Sequence, residues 1–412
     1  MKITDLKLRQ LQGTMEYQGT LWEERGARPV DIYPAFRQQN AEDTVRKQFP
    51  SAGDNLYRVT QTFLTIETDE GISGIGEVTG GINVDALDVF LKSSEPLLIG
   101  ESPFDIERFL DRFYRHQKLT RLLPFANNLS CGIEMALWDI VGKASNKPVH
   151  KLLGGKFHKE IDFFGFVQGR EPEEMADHAN QLFDEGFGII YYKIGYSERE
   201  DIEITKKLRI RLGDEALLRP DANELYSEGE AKSLLIKIAD YQIDWIEQPL
   251  GVYNVDGMAL LRKMIPMRLA IDQGTNTLEE INRAINVQAA DVYVVGFHET
   301  GGILGLKKAA AMLHAANLPL NRHGILGETG VSTLAALQIL ATIPNITDGN
   351  QVMHNLLAED IVIDGLLTFN EGKIVVPERP GLGIELDRDR VEKFAQAYKK
   401  HGQYSVNPVH CD

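Results

Sequence analysis

Residues 189–196 read Ile-Ile-Tyr-Tyr-Lys-Ile-Gly-Tyr, an apolar, β-branched run that ends on one lysine, Lys193, and then a glycine. Such a run reads as a buried strand. A lysine is rarely buried without a partner or a task, so Lys193 is either an edge lysine in solvent or a base held at the mouth of a site. The same punctuation recurs downstream. EALLRPDAN carries Asp221, QIDWIEQPL carries Glu247, MRLAIDQ carries Asp272, ADVYVVGFH follows, and NLPLNRHG carries His323. Lys193 to Asp221 is 28 residues, to Glu247 a further 26, to Asp272 a further 25, and to His323 a further 51, or two units. A repeat near 25 residues of strand plus helix predicts a (β/α)-barrel. An open doubly wound sheet is the rival. The number of units and the lack of a Gly-rich phosphate loop after an early strand speak against it.

Upstream of the repeat the pattern differs. Residues 1–12 alternate like a strand, and LYRVTQTFLTIETDEGISGIGEV reads as two strands joined at Asp69-Glu70-Gly71. Residues 83–118 carry helical spacing. Strands followed by helices predict an α+β domain over 1–124. Between its first strands, residues 13–55 are irregular and rich in charge, Gly and Pro, a length typical of a lid or binding loop and long for a plain surface excursion. An amphipathic helix within NNLSCGIEMALWDIVGKASNKPVHKLLGG and a strand at IDFFGFV open the barrel, expected over 125–375. The tail, 376–412, holds a Pro/Gly turn and a helix expected to pack back on the first domain.

Composition sets outer bounds. The chain has 412 residues and is 43% hydrophobic, enough for a large core and two domains. A net charge of -16 argues against a general nucleic-acid or membrane-surface binder. Two cysteines, Cys131 and Cys411, cannot make a disulfide framework, and a reducing cytoplasm is the simplest expectation. No apolar signal-peptide core and no run of about 18 apolar residues is seen.

Asp221, Glu247 and Asp272 each stop a predicted strand. In a barrel such positions converge on the C-terminal rim, where active sites are built. Each acid alone could cap a helix or pair with an arginine. Three in consecutive units repel one another unless a hard cation neutralises them, and an all-oxygen set suits Mg²⁺. Asn223, two beyond Asp221, is a further ligand or an orienting contact.

The ordered motifs together resemble the enolase superfamily, and within it the mandelate racemase subgroup. They are ITDLKL and TDEGISGIGE in the first domain, GIEMALWDIVGKASNKPVHKLLGG at the barrel entrance, KIGY, RPDAN, WIEQPL and AIDQ at the strand ends, TGGI after strand six, and GLGIE in the tail. The resemblance spans nearly the whole chain. It implies a barrel with an N-terminal α+β cap completed by the C-terminal segment, essential Mg²⁺, a small carboxylate substrate and a homo-oligomer. It also implies one partial reaction: a base removes the proton α to a carboxylate, and an enediolate forms.

The resemblance places Lys193 on the second lysine of a Lys-x-Lys pair, the usual base, with Tyr191 where the first lysine stands. It places His323 at the end of strand seven as the opposing acid or base. Tyr191 is one departure from the family pattern, and two more follow. The aspartate that orients this histidine ends strand six in the family pattern, and here that position is Gly296. His298, two residues on, is either a substitute in the site or a surface loop residue, and Glu328 is a candidate local partner for His323. An acid at the end of strand eight is replaced near Asn350 by an amide, which can donate a hydrogen bond but not a proton. Arg25 and Arg28 in the long loop are candidate substrate contacts. The expected function is a Mg²⁺-dependent dehydratase of an acid sugar. A racemase, epimerase or cycloisomerase with the same bases is the first alternative, and a metal-binding paralogue without turnover the second.

Overall fold

The computed structural model describes residues 1–17, 51–53, 56–78 and 84–402. Arg25, Arg28 and most of the long loop lie outside them.

The N-terminal unit is an antiparallel sheet covered by helices. Strand β1 (Ile3–Glu16) pairs along its length with one side of β3 (Leu56–Thr68); on the other side β2 (Ser51–Gly53) pairs with the start of β3 and β4 (Ser73–Val78) with Thr62–Glu67. The expected end of β1 at residue 12 is exceeded because Gly13–Glu16 continue the ladder opposite Leu56–Val59. The β3–β4 turn closes at Gly71, whose φ of +75° favours glycine. Helices α1 (Val84–Leu98), α2 (Ile106–Arg115) and α3 (Leu123–Ala144) follow.

Sequence reading makes α3 amphipathic, but it is buried over most of its surface. One side faces this sheet and the other faces the barrel. Its backbone abuts β4 because glycines meet there: a Cβ on Gly76 would overlap the Gly132 carbonyl, and one on Gly74 the Ala136 carbonyl.

The second unit is a parallel sheet curled into a barrel. Its strands, in spatial order, are β6 (Gly165–Phe166), β7 (Ile189–Lys193), β8 (Leu217–Asp221), β9 (Trp245–Glu247), β10 (Arg268–Ile271), β11 (Val292–Gly296) and β12 (Leu320–His323). The IDFFGFV run divides. Its first part, β5 (Glu160–Asp162), pairs antiparallel with β13 (Lys373–Val375) outside the barrel. Closure falls to residues 346–351. Thr347 N donates to Leu320 O and Gln351 N to Arg322 O on one edge, while Asn350 N donates to Asp162 O and Phe164 N to Asn350 O on the other.

Helices α4 (Pro172–Asp184), α5 (Glu198–Leu212), α6 (Glu228–Ile238), α7 (Val255–Arg262), α8 (Leu278–Val287), α9 (Ile303–Ala315) and α10 (Gly330–Leu340) surround the sheet. Ser197, Ser227, Asn254, Thr277 and Thr329 cap α5, α6, α7, α8 and α10 by accepting a backbone N–H. Each cap stops its loop just beyond a strand end, which keeps the rim short and defined. At the far end of the barrel Arg219 stacks on Trp245 at 3.4 Å, pairs with Asp244 and donates to Asp348 O and Gly349 O. The closing helix α11 (Arg388–His401) returns to β1, where Phe394 meets Gly13 and Glu392 pairs with Arg9.

Candidate active site

The sheet register sets the site. Lys193 and Asp221 are partners across β7 and β8, Asp221 and Glu247 across β8 and β9, and Gly296 and His323 across β11 and β12. Asp272 follows β10 directly, its N–H held by Gln248 Oε1 at 2.9 Å. Lys193, the three acids and His323 therefore share one rim.

The backbone after two of the acids is unusual. Asn223, Glu224 and Gln248 adopt φ values of +40°, +69° and +35°. Left-handed non-glycine residues are uncommon and gather at functional sites.

Lys193 Nζ lies 2.6 Å from Asp221 Oδ2, 2.7 Å from Asn223 Oδ1 and 3.0 Å from Tyr191 Oη. Tyr191 Oη also donates to Asp221 and approaches Glu247 Oε1 at 3.2 Å. Its ring stacks on Phe164 at 4.2 Å. Tyr191 thus ties the amine to two carboxylates. Burial, with Asp221 and Glu247 beside it, pushes its phenol well up, so it stays neutral.

Asp221, Glu247 and Asp272 are almost fully buried. Burial raises the Glu247 carboxyl well above its ordinary range, and the neighbouring Asp221 and Asp272 raise it further. That mutual repulsion is what a hard divalent cation would relieve, and the all-oxygen donor set suits one. Among the described residues, no group of three acids, histidines or cysteines is already drawn into a metal shell.

His323 Nδ1 lies 3.3 Å from Glu299 Oε1 and 3.9 Å from Asp272 Oδ1. The side chains of Lys193 and His323 are 13% and 16% exposed, enough to reach a ligand at the mouth. The barrel aromatics Phe164, Phe166 and Tyr191 join Met15, Tyr17 and Val59 of the first unit in an apolar cluster at this rim.

Three sequence-based expectations are corrected by these contacts. Glu328 is not beside His323. Both its oxygens face Arg322, at 3.0 and 2.6 Å, and both side chains are buried. Burial alone would raise the Glu328 carboxyl, but the Arg322 guanidinium outweighs it and holds the pKa down. Asn350 has no free amide to offer a substrate. Its Oδ1 accepts from Arg322 N, and its Nδ2 donates to Asp162 O and Thr347 O.

Its neighbour Gln351 faces the other way, as adjacent strand residues do, and donates to Glu247 Oε1 at 3.1 Å. The residue of this closing segment that faces the rim is therefore Gln351, one beyond Asn350. His298 is buried 3.0 Å from Ser332 Oγ on α10, and burial lowers its pKa to about 4. It is a neutral packing histidine. Glu299 and Gln351 are the rim contacts that sequence reasoning missed; each lies one residue beyond one that it singled out.

Residues 174–390 match the family model for the enolase C-terminal domain-like fold, and residues 44–154 that for the mandelate racemase / muconate lactonizing enzyme N-terminal domain. The chain is 29% identical to N-succinyl-L-Arg/Lys racemase of Bacillus cereus over 336 residues, covering 80% of this chain and 88% of that one. It is 30% identical to arabinonate dehydratase of Saccharolobus solfataricus over 331 residues, covering 79% and 88%. The crystal structure of the Bacillus cereus racemase superposes with a TM-score of 0.79 at 25% identity, over 96% of this chain and 98% of that one.

Proposed function

This chain belongs to the enolase superfamily, in its mandelate racemase and muconate lactonizing enzyme branch, and on that premise we propose that it is a Mg²⁺-dependent dehydratase of an acid sugar. The observation that carries the reading is the order of groups on the rim. Lys193 ends β7 and His323 ends β12; between them Asp221 ends β8, Glu247 ends β9 and Asp272 directly follows β10. A substrate carboxylate held at a cation bound by these acids would have its α- and β-carbons between an amine and an imidazole.

The proton α to a carboxylate is very weakly acidic, so its removal needs a positioned base and charge stabilisation. Mg²⁺, held by Asp221, Glu247 and Asp272, supplies when bound the positive charge that lowers the cost of the second negative charge on the substrate carboxylate. Lys193, as the free amine, accepts the proton from the α-carbon. Asn223 and Tyr191 fix the position of its Nζ. His323, as the imidazolium, gives its proton to the departing β-hydroxyl, which leaves as water with the C–O bonding pair. The resulting enol tautomerises to a 2-keto-3-deoxy acid. One water is lost overall, with no redox change. Glu247 is held in place by Gln351, and Asp272 by Gln248.

The relatives include a dehydratase and a racemase at nearly equal identity. The same two bases support 1,1-proton transfer, in which His323 returns a proton to the α-carbon from the other face. Incubating the protein with Mg²⁺ and a panel of sugar acids in D₂O separates the readings. A 2-keto-3-deoxy product supports dehydration. Deuterium at the α-carbon without loss of water supports racemisation or epimerisation.

A further inference from the structure

Strand β11 ends on Gly296, where the family pattern has the acid that orients the strand-seven histidine. The space is not vacant: a Cβ built on Gly296 would overlap the carboxylate of Glu299. The glycine therefore makes room, and Glu299, three residues on, folds back to fill it. The turn that allows this is tightly held. Thr300 N and Oγ1 donate to Gly296 O at 3.1 and 2.6 Å. Asn127 of α3 donates to the Glu299 carbonyl and is itself fixed by Tyr114 Oη at 2.7 Å. Gly301 and Gly302, at φ +89° and +106°, then carry the chain into α9.

Glu299 Oε1 meets His323 Nδ1 at 3.3 Å, while Oε2 is buried without a hydrogen-bond partner among the described residues. A buried carboxylate this poorly hydrogen-bonded is costly without a charged or polar partner, and the imidazole is the partner it meets.

We propose that Glu299, folded into the space left by Gly296, is the orienting carboxylate of His323, holding Nδ1–H and leaving Nε2 for the substrate. Glu299 is a positioning residue that acts through His323. Its carboxylate fixes the ring and stabilises the imidazolium, as an acid on strand six would. The role rests on the reading of His323 as the acid of the reaction, but the contact can be tested without turnover.

Long-range ¹H–¹⁵N NMR on the Mg²⁺-loaded protein without substrate, at one fixed pH, identifies which nitrogen of His323 carries hydrogen. The expected result is Nδ1–H in the wild type and loss of that preference in Glu299→Ala. Gly296→Asp combined with Glu299→Ala should restore it, because the vacated space then receives a carboxylate from the strand itself. Glu299→Gln keeps size and shape, so it guards against a folding defect. Its kcat should fall about 10–100-fold with little change in KM. An unchanged tautomer in folded Glu299→Ala, or an unchanged kcat in Glu299→Gln, overturns the proposal. Loss of stability alone, with the tautomer kept, assigns Glu299 a packing role and also overturns it.

Discussion

Lys193 and Asp221 are register partners on adjacent strands, and the Lys193 Nζ lies 2.6 Å from Asp221 Oδ2. One end of this contact belongs to the proposed base and the other to the proposed cation site. The pair is therefore where proton transfer and charge stabilisation meet, and the two functions can be separated by mutation.

Replacing Lys193 with methionine keeps the apolar stem and removes the amine. The α-proton exchange rate should fall about 10²–10⁴-fold, the contribution typical of a positioned base. Mg²⁺ binding, measured by calorimetry, should persist, because Asp221, Glu247 and Asp272 are untouched. Loss of metal binding along with exchange would mean that the lysine serves the cation site and not the proton.

His323→Asn tests the other side of the site. The amide cannot deliver a proton, so dehydration should be lost. Exchange of the α-proton with solvent deuterium through Lys193 should continue. If exchange and dehydration fall together, the two groups do not divide the work as assigned.

The first unit meets the barrel through Glu77 on β4. Its carboxylate accepts from Thr329 N and Oγ1 and from Ser332 N and Oγ, at the start of α10. Burial outweighs these donors and raises its pKa from 4.5 to about 7. The folded state then holds the proton more tightly than the unfolded chain. Below about pH 4.5 both states are protonated. As pH rises the unfolded chain releases first, so this group costs stability progressively until about pH 7, where the loss levels off. Its contribution is on the order of 3 kcal/mol at most. In urea titrations across this range, Glu77→Gln should remove the decline. A wild-type-minus-variant difference that does not vary with pH contradicts this account.

Arg322 and Glu328 form a buried bidentate pair. Removing one partner strands the other's charge, so Glu328→Ala should cost about 3–5 kcal/mol in chemical denaturation. The catalytic rate of the remaining folded protein should change far less than with His323→Asn. Activity lost at unchanged stability would place Glu328 in the site after all.

What the sequence disclosed, and what it hid, follows from the range of the forces involved. Lys193, Asp221, Glu247, Asp272 and His323 each close an apolar strand, and periodicity alone brings such residues to one rim. Glu299 does not close a strand. It reaches the rim only because Gly296 has no side chain and the turn held by Thr300 on Gly296 O folds back; the glycine shows in the sequence, but the fold-back does not show in residue spacing. Which of Asn350 and Gln351 faces the rim is hidden for a related reason. Residues 346–351 close the barrel with few ladder bonds, so the period of two that fixes which neighbour faces inward has little length in which to show itself. Arg322 and Glu328 lie six residues apart around a loop, and no local pattern distinguishes Glu328 paired with Arg322 from Glu328 paired with His323.

The most direct test of the account is a ¹H NMR time course of the wild-type protein with Mg²⁺ in D₂O, run over a panel of aldonic and aldaric acids. The account predicts that at least one member is converted to a 2-keto-3-deoxy acid, and that Lys193→Met converts none. Deuterium incorporation at the α-carbon with every β-hydroxyl retained would contradict it, as would no turnover of any member with the metal verified in place.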